Sequence, residues 1–253
     1  MLTFSLNSGS NGNAVYVEAL GVRLLFDAGI SAKRAAGRMR LRDREIRDVD
    51  AVLISHDHTD HVRCAGVYQR RLGLTVYMSR RTHRAASSAI GPLRTVRHFE
   101  PGQTLAIGRV RVHTLKTPHD AADGTVFVVE AEGKQLGILT DLGHPFRGLD
   151  ELIESLDAAY LESNYEPELL DKGRYPAFLK ARVRGPGGHL SNHEAAELVA
   201  RHGRRLQWLA VAHLSHDNNR PELAIEAQRR AVGRYLPVDL APRYGVSEVF
   251  EVV

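Results

Sequence analysis

Ser55-His56-Asp57-His58-Thr59-Asp60-His61 sets three imidazoles and two carboxylates within six consecutive residues. Directly before it runs Ala51-Val52-Leu53-Ile54, a short apolar run bounded by polar residues, which is the pattern of a buried strand. In an extended backbone, residues two apart point the same way. His56 and His58 therefore leave the strand end together and can reach one metal ion. Asp60 and His61 come one turn later, face elsewhere and suit a second ion. Imidazole with carboxylate suits zinc, manganese or iron, whereas a soft thiolate site needs cysteine. A polar turn that happens to be rich in histidine is the bland alternative, and so dense a set of ligating side chains argues against it.

A two-metal site needs further ligands at other strand ends, and three places fit. Thr117-Pro118-His119-Asp120 follows the strand pattern of 110–116. Leu139-Thr140-Asp141-Leu142-Gly143 ends the pattern of 135–140. Ala212-His213-Leu214-Ser215-His216-Asp217-Asn218-Asn219 follows the apolar run of 206–211. Taken singly, each is an ordinary strand-end loop. Beside the first motif, each becomes a candidate source of ligands.

The elements that must position these groups can be read along the chain. Strands are expected over 2–6, 14–19 and 22–26, the last two as a hairpin about Leu20-Gly21. Further strands are expected over 75–78, 96–99, 104–107, 110–116, 125–131, 135–140, 157–162, 206–212 and 246–253. Ser31 caps a basic helix through about Met39, and 62–72 reads as one helix stopped by Gly73. Ser79 opens another helix, to about Ser88. Later helices fall over 176–184, 191–202 and 221–232; Ser191 with Glu194 forms a capping-box pattern, and Pro221 suits a first helical position. Strand-rich segments and helices alternate in both halves without a linker or repeat, so 1–253 is expected to be one domain of two packed sheets with helices outside. Gly185-Pro186-Gly187-Gly188, immediately before His189, is the most flexible stretch.

Composition narrows the class. The chain of 253 residues is 43% hydrophobic and 25% charged, ordinary for a soluble globular protein. It holds no apolar run near the roughly 20 residues that a membrane helix needs. Its start lacks the basic and apolar regions of a signal peptide. The single cysteine, Cys64, excludes an internal disulfide and a thiolate-rich metal site. Together these point to the cytoplasm, with no membrane partner. The net charge of +4 is carried mainly by arginine clusters over 34–47, 70–71, 80–84 and 180–184. Arginine forks suit phosphate oxygens, but 30 acidic residues are interspersed, so charge alone does not separate a nucleic-acid surface from a solvated one.

His56-Asp57-His58-Thr59-Asp60-His61, followed in order by His119, Asp141 and His213, resembles the metallo-β-lactamase superfamily and, within it, the YycJ/WalJ-type hydrolases. Ser8-Gly9-Ser10-Asn11-Gly12-Asn13, Leu161-Glu162-Ser163-Asn164-Tyr165, Gly188-His189-Leu190-Ser191-Asn192 and the Ser215, Asn218-Asn219 segment extend the likeness from about Leu2 to the C-terminus. The resemblance implies an α/β fold, a four-layer αββα sandwich with a dinuclear site along one sheet edge. It also implies a metal-dependent nuclease, a 5′-to-3′ exonuclease with DNA as its nucleic-acid partner. Carried over by position, His56, His58 and His119 would bind the first ion; Asp60, His61 and His213 the second; and Asp141 would bridge them. His216 competes with His213. Asp57, between ligands, is expected to orient a histidine.

The implied cofactors are two divalent ions, zinc or manganese, which lower the pKa of a bridging water and hold a phosphodiester oxygen. His189 resembles the proton-donating histidine of the ribonuclease Z relatives, with Glu162 orienting it. Asp60 belongs with both the ligands and the catalytic set. Backbone N–H groups of the loop bearing Ser8, Ser10, Asn11 and Asn13 offer a phosphate cradle, and Ser215 and Asn218 are weaker candidates for the same role. The rivals are a small-molecule phosphodiesterase or a thioester or lactone hydrolase on the same scaffold, and a metal-stabilised binding module without catalysis. The β-lactamase version usually presents a cysteine ligand, and Cys64 occupies no motif position.

Overall fold

Each half of the chain repeats one solution to burying alternating strands and helices. In the computed structural model, which describes residues 1–253, the first half supplies β1 (Leu2–Asn7), β2 (Ala14–Ala19), β3 (Val22–Phe26), β4 (Ala51–Leu53), β5 (Thr75–Ser79) and β6 (Val96–Phe99). The second supplies β7 (Thr104–Ile107), β8 (Val110–Lys116), β9 (Thr125–Ala131), β10 (Lys134–Leu139), β11 (Ala158–Glu162), β12 (Trp208–Ala212) and β13 (Val238–Leu240), and β14 (Phe250–Glu251) returns to the first sheet. The orders are β14-β1-β2-β3-β4-β5-β6 and β13-β12-β11-β10-β9-β8-β7. Each sheet is antiparallel through its hairpins and parallel where helices make the crossovers. This is the αββα sandwich that the resemblance implies.

Three apolar clusters build the layers. Val17, Leu24, Phe26, Phe99, Phe127, Tyr160 and Trp208 meet between the two sheets. On the outer face of the first sheet, Phe4, Tyr16, Leu25 and Val52 pack on α1 (Ala32–Arg40), α2 (Thr59–Val62), α3 (Ala65–Leu72) and α4 (Arg80–Ile90). Outside the second lie α5 (Leu149–Ser155), α6 (Pro167–Lys172), α7 (Ala177–Arg184), α8 (Asn192–His202) and α9 (Pro221–Val232). Of these, α5, α8 and α9 bury Leu152, Ile153, Leu198, Val199 and Ala224 against Val128, Leu139, Leu161 and Val211. Alternate residues of one strand thus serve two clusters: Leu24 and Phe26 point into the sandwich and Leu25 points out, as strand pleating requires.

Register brings the polar strand ends together. Leu139 of β10 pairs with Leu161 of β11, and Glu162 pairs with Ala212 of β12, so Asp141, Glu162 and His213 leave the second sheet at one edge. In the first sheet, Phe26 pairs with Leu53, which sets Asp27 beside the start of the histidine motif. Side-chain ligands need this parallel alignment because each strand contributes only its last polar residue.

Several sequence expectations change. The helix read over 62–72 is divided into α2 and α3, because the Cys64 N–H turns back to the Ala28 carbonyl at 2.9 Å. The closing strand read over 246–253 shrinks to Phe250–Glu251, because Ser247 is engaged with Ser5 through N–H to carbonyl bonding and its own Oγ. Helices α5 and α6 and strand β13 were not anticipated, although Pro167 at the first position of α6 is a recognisable start. Ser31, Ser79 and Ser191 cap α1, α4 and α8 as read, the last with a complete capping box. No helix is long and apolar enough to cross a membrane.

Candidate metal centre

At the shared edge, ligating atoms from four chain segments converge. His56, His58 and His119 form one group; Asp60, His61 and His213 form another; His56, His61 and Asp141 form a third that joins them. Within each group the ligating atoms lie within 4.8 Å of one another. Asp141 Oδ2 stands 3.1 Å from His61 Nε2 and Asp141 Oδ1 stands 3.4 Å from His119 Nε2, placing the carboxylate between the two histidine sets. The seven ligand candidates read from the sequence are therefore all gathered in one cluster. Most are buried, and His58 and Asp60 face the cleft.

The surrounding bonds decide which ring nitrogens face inward. His61 Nδ1 lies 2.7 Å from Asp27 Oδ2, and Asp27 also accepts from the Ser55 N–H and hydroxyl. His119 Nδ1 donates to the Gly188 carbonyl at 2.9 Å. His56 Nδ1 lies 2.9 Å from Ser55 Oγ. Each outer nitrogen is thus occupied and turns the opposite nitrogen toward the centre, the arrangement that orients metal-binding imidazoles. Asp27 carries no role in the sequence reading, although Leu24-Leu25-Phe26-Asp27 is an apolar run ended by an acid, the same strand-end signal that Asp141 shows. Asp57 does not orient a histidine: its Oδ1 accepts the Ala122 N–H at 2.8 Å. That duty falls to Asp27 because β3 ends beside β4, whereas Asp57 reaches across to the loop after β8.

Whether a cation fits can be judged from the atoms left over. His56 Nε2 and Asp141 Oδ2 are buried without a hydrogen-bond partner, and buried polar atoms are seldom left so. His58 Nδ1 and His119 Nε2 face one another at 3.2 Å. Burial holds His56 well below the ordinary imidazole range, with neighbouring imidazoles adding to the effect. For His213 burial also lowers, but the carboxylates of Asp141, Asp60 and Glu162 outweigh it and push the ring up to about 10. Asp141 is held well below the usual carboxylate range by His213 and His61, against its burial. A buried group of carboxylates that demands positive charge, beside imidazoles that resist protonation, is a donor set for divalent cations. The residues present fit such ions.

His189 sits beside this cluster at the cleft. Its Nδ1 lies 2.6 Å from Glu162 Oε1, while Glu162 Oε2 accepts the backbone N–H groups of Leu142 and Leu190 at 3.0 and 3.3 Å. Burial on its own raises the Glu162 carboxyl; His189 and His213 more than offset this and hold it down at about 2. The cleft, about 380 Å³, is lined by Ser10, His58, Asp60, Asp141, Arg182 and His189 among others.

The Ser8–Asn13 loop is committed largely to building the cluster. Ser8 Oγ accepts the His213 N–H at 2.8 Å, and Asn13 Nδ2 lies 2.9 Å from His61 Nε2. The N–H groups of Ser8, Gly9, Gly12 and Asn13 bond to Pro242, the Asn13 side chain, Gly9 and Asp60 respectively. Ser10 alone of the candidates on this loop lines the cleft, where its hydroxyl accepts from Arg243 at 2.9 Å. Asn11 is tied by its side chain to Asn7 and Arg243. Across the cleft, Ser215 accepts from the Asn218 N–H, and both line the wall. Gly29 permits the close packing behind this loop, since a Cβ there would stand 1.7 Å from the Asp60 carbonyl oxygen. His216 lies beside Tyr244, and His144 bonds the Pro186 carbonyl; neither joins the cluster. Asp120, Arg182 and Tyr175 belong to the site region; in the sequence Asp120 stands only as part of the 117–120 strand-end group and Arg182 as part of a basic cluster, and Tyr175 carries no motif signal. Arg182 forks onto Asp120 at 2.5 and 3.1 Å, and Asp120 stands 3.7 Å from His119 Nε2.

Two seven-stranded sheets with a His/Asp cluster at their common edge define a metallohydrolase architecture. The model of the β-lactamase superfamily domain matches residues 22–210. The chain is 33% identical over 250 residues to an exodeoxyribonuclease YycJ of Bacillus anthracis, covering 98% of this chain and 92% of that protein. It is 34% identical over 224 residues to an exodeoxyribonuclease WalJ of Streptococcus pneumoniae, covering 87% and 83%. The metallo-β-lactamase fold protein YhfI from Bacillus subtilis superposes with a TM-score of 0.72 at 16% identity, over 97% of this chain and 98% of that one. The chain belongs to the metallo-β-lactamase superfamily and is a hydrolase of that fold.

Proposed function

We propose that this protein hydrolyses phosphodiester bonds in nucleic acid, as a DNA exonuclease working with two divalent ions, zinc or manganese. The observation that carries this reading is the His189–Glu162 pair, 2.6 Å apart and set beside the His/Asp cluster. A thioester hydrolase expels a thiolate and has no need of a dedicated proton donor there, whereas an alkoxide leaving from phosphorus does. The two curated relatives carry the name exodeoxyribonuclease, which supports DNA over RNA.

His56, His58 and His119 would hold one ion and Asp60, His61 and His213 the other, with Asp141 between them. Such ions supply a Lewis acid and a nucleophile available near neutral pH. The chain's own groups do the rest. Asp27, Ser55 and the Gly188 carbonyl keep the imidazoles turned inward. Glu162, fixed by two backbone N–H groups, holds His189 Nδ1 and leaves Nε2 free to deliver a proton to the departing oxygen. Ser10, whose hydroxyl accepts from Arg243 and keeps its own hydrogen, lines the cleft and offers a donor to a second phosphate oxygen.

The test is digestion of end-labelled single- and double-stranded DNA and RNA with added Mn²⁺ or Zn²⁺, wild type beside His189→Ala. Stepwise loss of nucleotides from the 5′ end of DNA, much slowed in the variant, is the expected result. Hydrolysis of a simple phosphodiester or thioester with no polymer degraded would overturn it and make the protein a small-molecule hydrolase.

A further inference from the structure

Helix α7 buries none of its residues, yet it forms one wall of the cleft. Leu179 and Val183 are half-buried and line the cleft, and Tyr175, just before the helix, lines it too. Leu179 and Val183, four residues apart, stack along one face of the helix, and Tyr175 lines the same cleft from the turn before it. That face is an apolar stripe above a floor of imidazole and carboxylate, and nothing in the chain covers it. The wall is tied to the proton donor: the His189 N–H bonds the Val183 carbonyl at 2.9 Å. The flank is basic, with Arg174, Lys180, Arg182 and Arg184 around the stripe. Arg184 pairs with Asp171 and Arg182 with Asp120, which holds the helix in place over the cleft.

The cleft of about 380 Å³ lies near the lower end of small-ligand sites, at about 300–1,000 Å³. It accommodates one nucleotide and not a length of duplex. The stripe stands beside the cluster, since the Val183 carbonyl is bonded to His189 and Arg182 to Asp120 next to His119. A phosphodiester on the His/Asp cluster therefore directs the rest of its nucleotide toward Tyr175, Leu179 and Val183.

We infer that the Tyr175–Leu179–Val183 stripe is a base-binding wall, which receives the nucleobase of the terminal nucleotide whose phosphodiester lies on the His/Asp cluster; this rests on the nuclease reading. Contact of this kind uses the face of the base and leaves its hydrogen-bonding edge unread, so it accepts all four bases. It also favours a frayed or single-stranded end, because a paired base has its faces already stacked. These are specificity-determining residues; they take no part in proton transfer.

The test uses the full chain and short 3′-labelled single-stranded oligothymidines that carry at the 5′ end either thymidine or an abasic tetrahydrofuran residue. Binding is read by fluorescence anisotropy on the Mn²⁺-loaded chain with oligonucleotides whose 5′-terminal linkage is a slowly hydrolysed phosphorothioate, and cleavage is read separately on ordinary linkages with Mn²⁺. Base stacking predicts that wild type binds the thymidine end roughly tenfold more tightly than the abasic end. Leu179→Asn and Tyr175→Ala should lose that preference, and Tyr175→Phe, which keeps the ring and loses the bond from its hydroxyl to Asp217, should retain it. Melting temperatures near wild type in these variants exclude a general loss of fold. If wild type degrades both oligonucleotides yet binds and cleaves them alike, the wall is refuted and the nuclease reading stands. If wild type degrades no nucleic acid at all, the nuclease reading falls and the wall falls with it.

Discussion

Asp27 Oδ2 and His61 Nδ1 are 2.7 Å apart, both buried, although 33 residues separate them in the chain. The pair exists because β3 and β4 run parallel and in register. It turns His61 Nε2 toward Asp141 and Asp60. Asp27→Asn keeps the shape and loses the carboxylate. Loss of such a partner costs roughly 10–100-fold in metal affinity. Chelator competition with Zn²⁺ or Mn²⁺ measures this, and unchanged affinity would assign Asp27 to folding alone.

His189→Ala should reduce kcat on DNA by about 10²–10⁴, the usual contribution of a positioned general acid. A p-nitrophenyl phosphodiester, whose leaving group departs without a proton, should be hydrolysed by the variant with a far smaller loss. Equal losses on both substrates would assign His189 to binding. Glu162→Gln should resemble the His189 variant more weakly, since it disturbs orientation and leaves the imidazole present.

Metal removal should lower stability, because the unpartnered His56 Nε2 and Asp141 Oδ2 and the cluster's repelling charges are left uncompensated. An ion at a hundredfold excess over its dissociation constant stabilises by about 2.7 kcal/mol. For a chain of this size that corresponds to about 5–10 °C in Tm. Calorimetry with and without chelator reads the shift, and an unchanged Tm would contradict metal binding to the folded chain.

In the metal-free chain, Glu162 contributes an acid-dependent term. Its carboxyl lies at about 2 in the folded state against an ordinary 4.5; burial raises it and His189 and His213 more than reverse this. A depressed folded value means stability that is present above the unfolded pKa and lost as pH falls toward the folded one. The contribution is therefore complete above about 4.5 and disappears between there and about 2. Glu162→Gln should flatten the denaturant-midpoint curve over that window; a slope equal to wild type would show that other carboxylates carry it.

The sequence by itself determined the local chemistry and the alternation of elements. His56, His58, Asp60 and His61 declare themselves because they crowd one strand end, where side-chain direction follows from backbone period alone. Ser191 and Glu194 announce α8 for the same reason, since a capping box is complete within four residues. His119, Asp141 and His213 were legible only as polar residues after apolar runs, and the family likeness singled them out. Tertiary structure decided what depends on register between distant strands. Parallel pairing of β10, β11 and β12 carried Asp141, Glu162 and His213 to one edge, and the β3–β4 pairing made Asp27 a partner of His61 while Asp57 was left to cap a loop. The loop read as a phosphate cradle instead spends most of its donors within the protein, because it must hold His213 and His61 against two different sheets. No single-chain pattern encodes the placement of α7 over the cleft: its stripe is too short to identify, and it acquires meaning only from what lies beneath it.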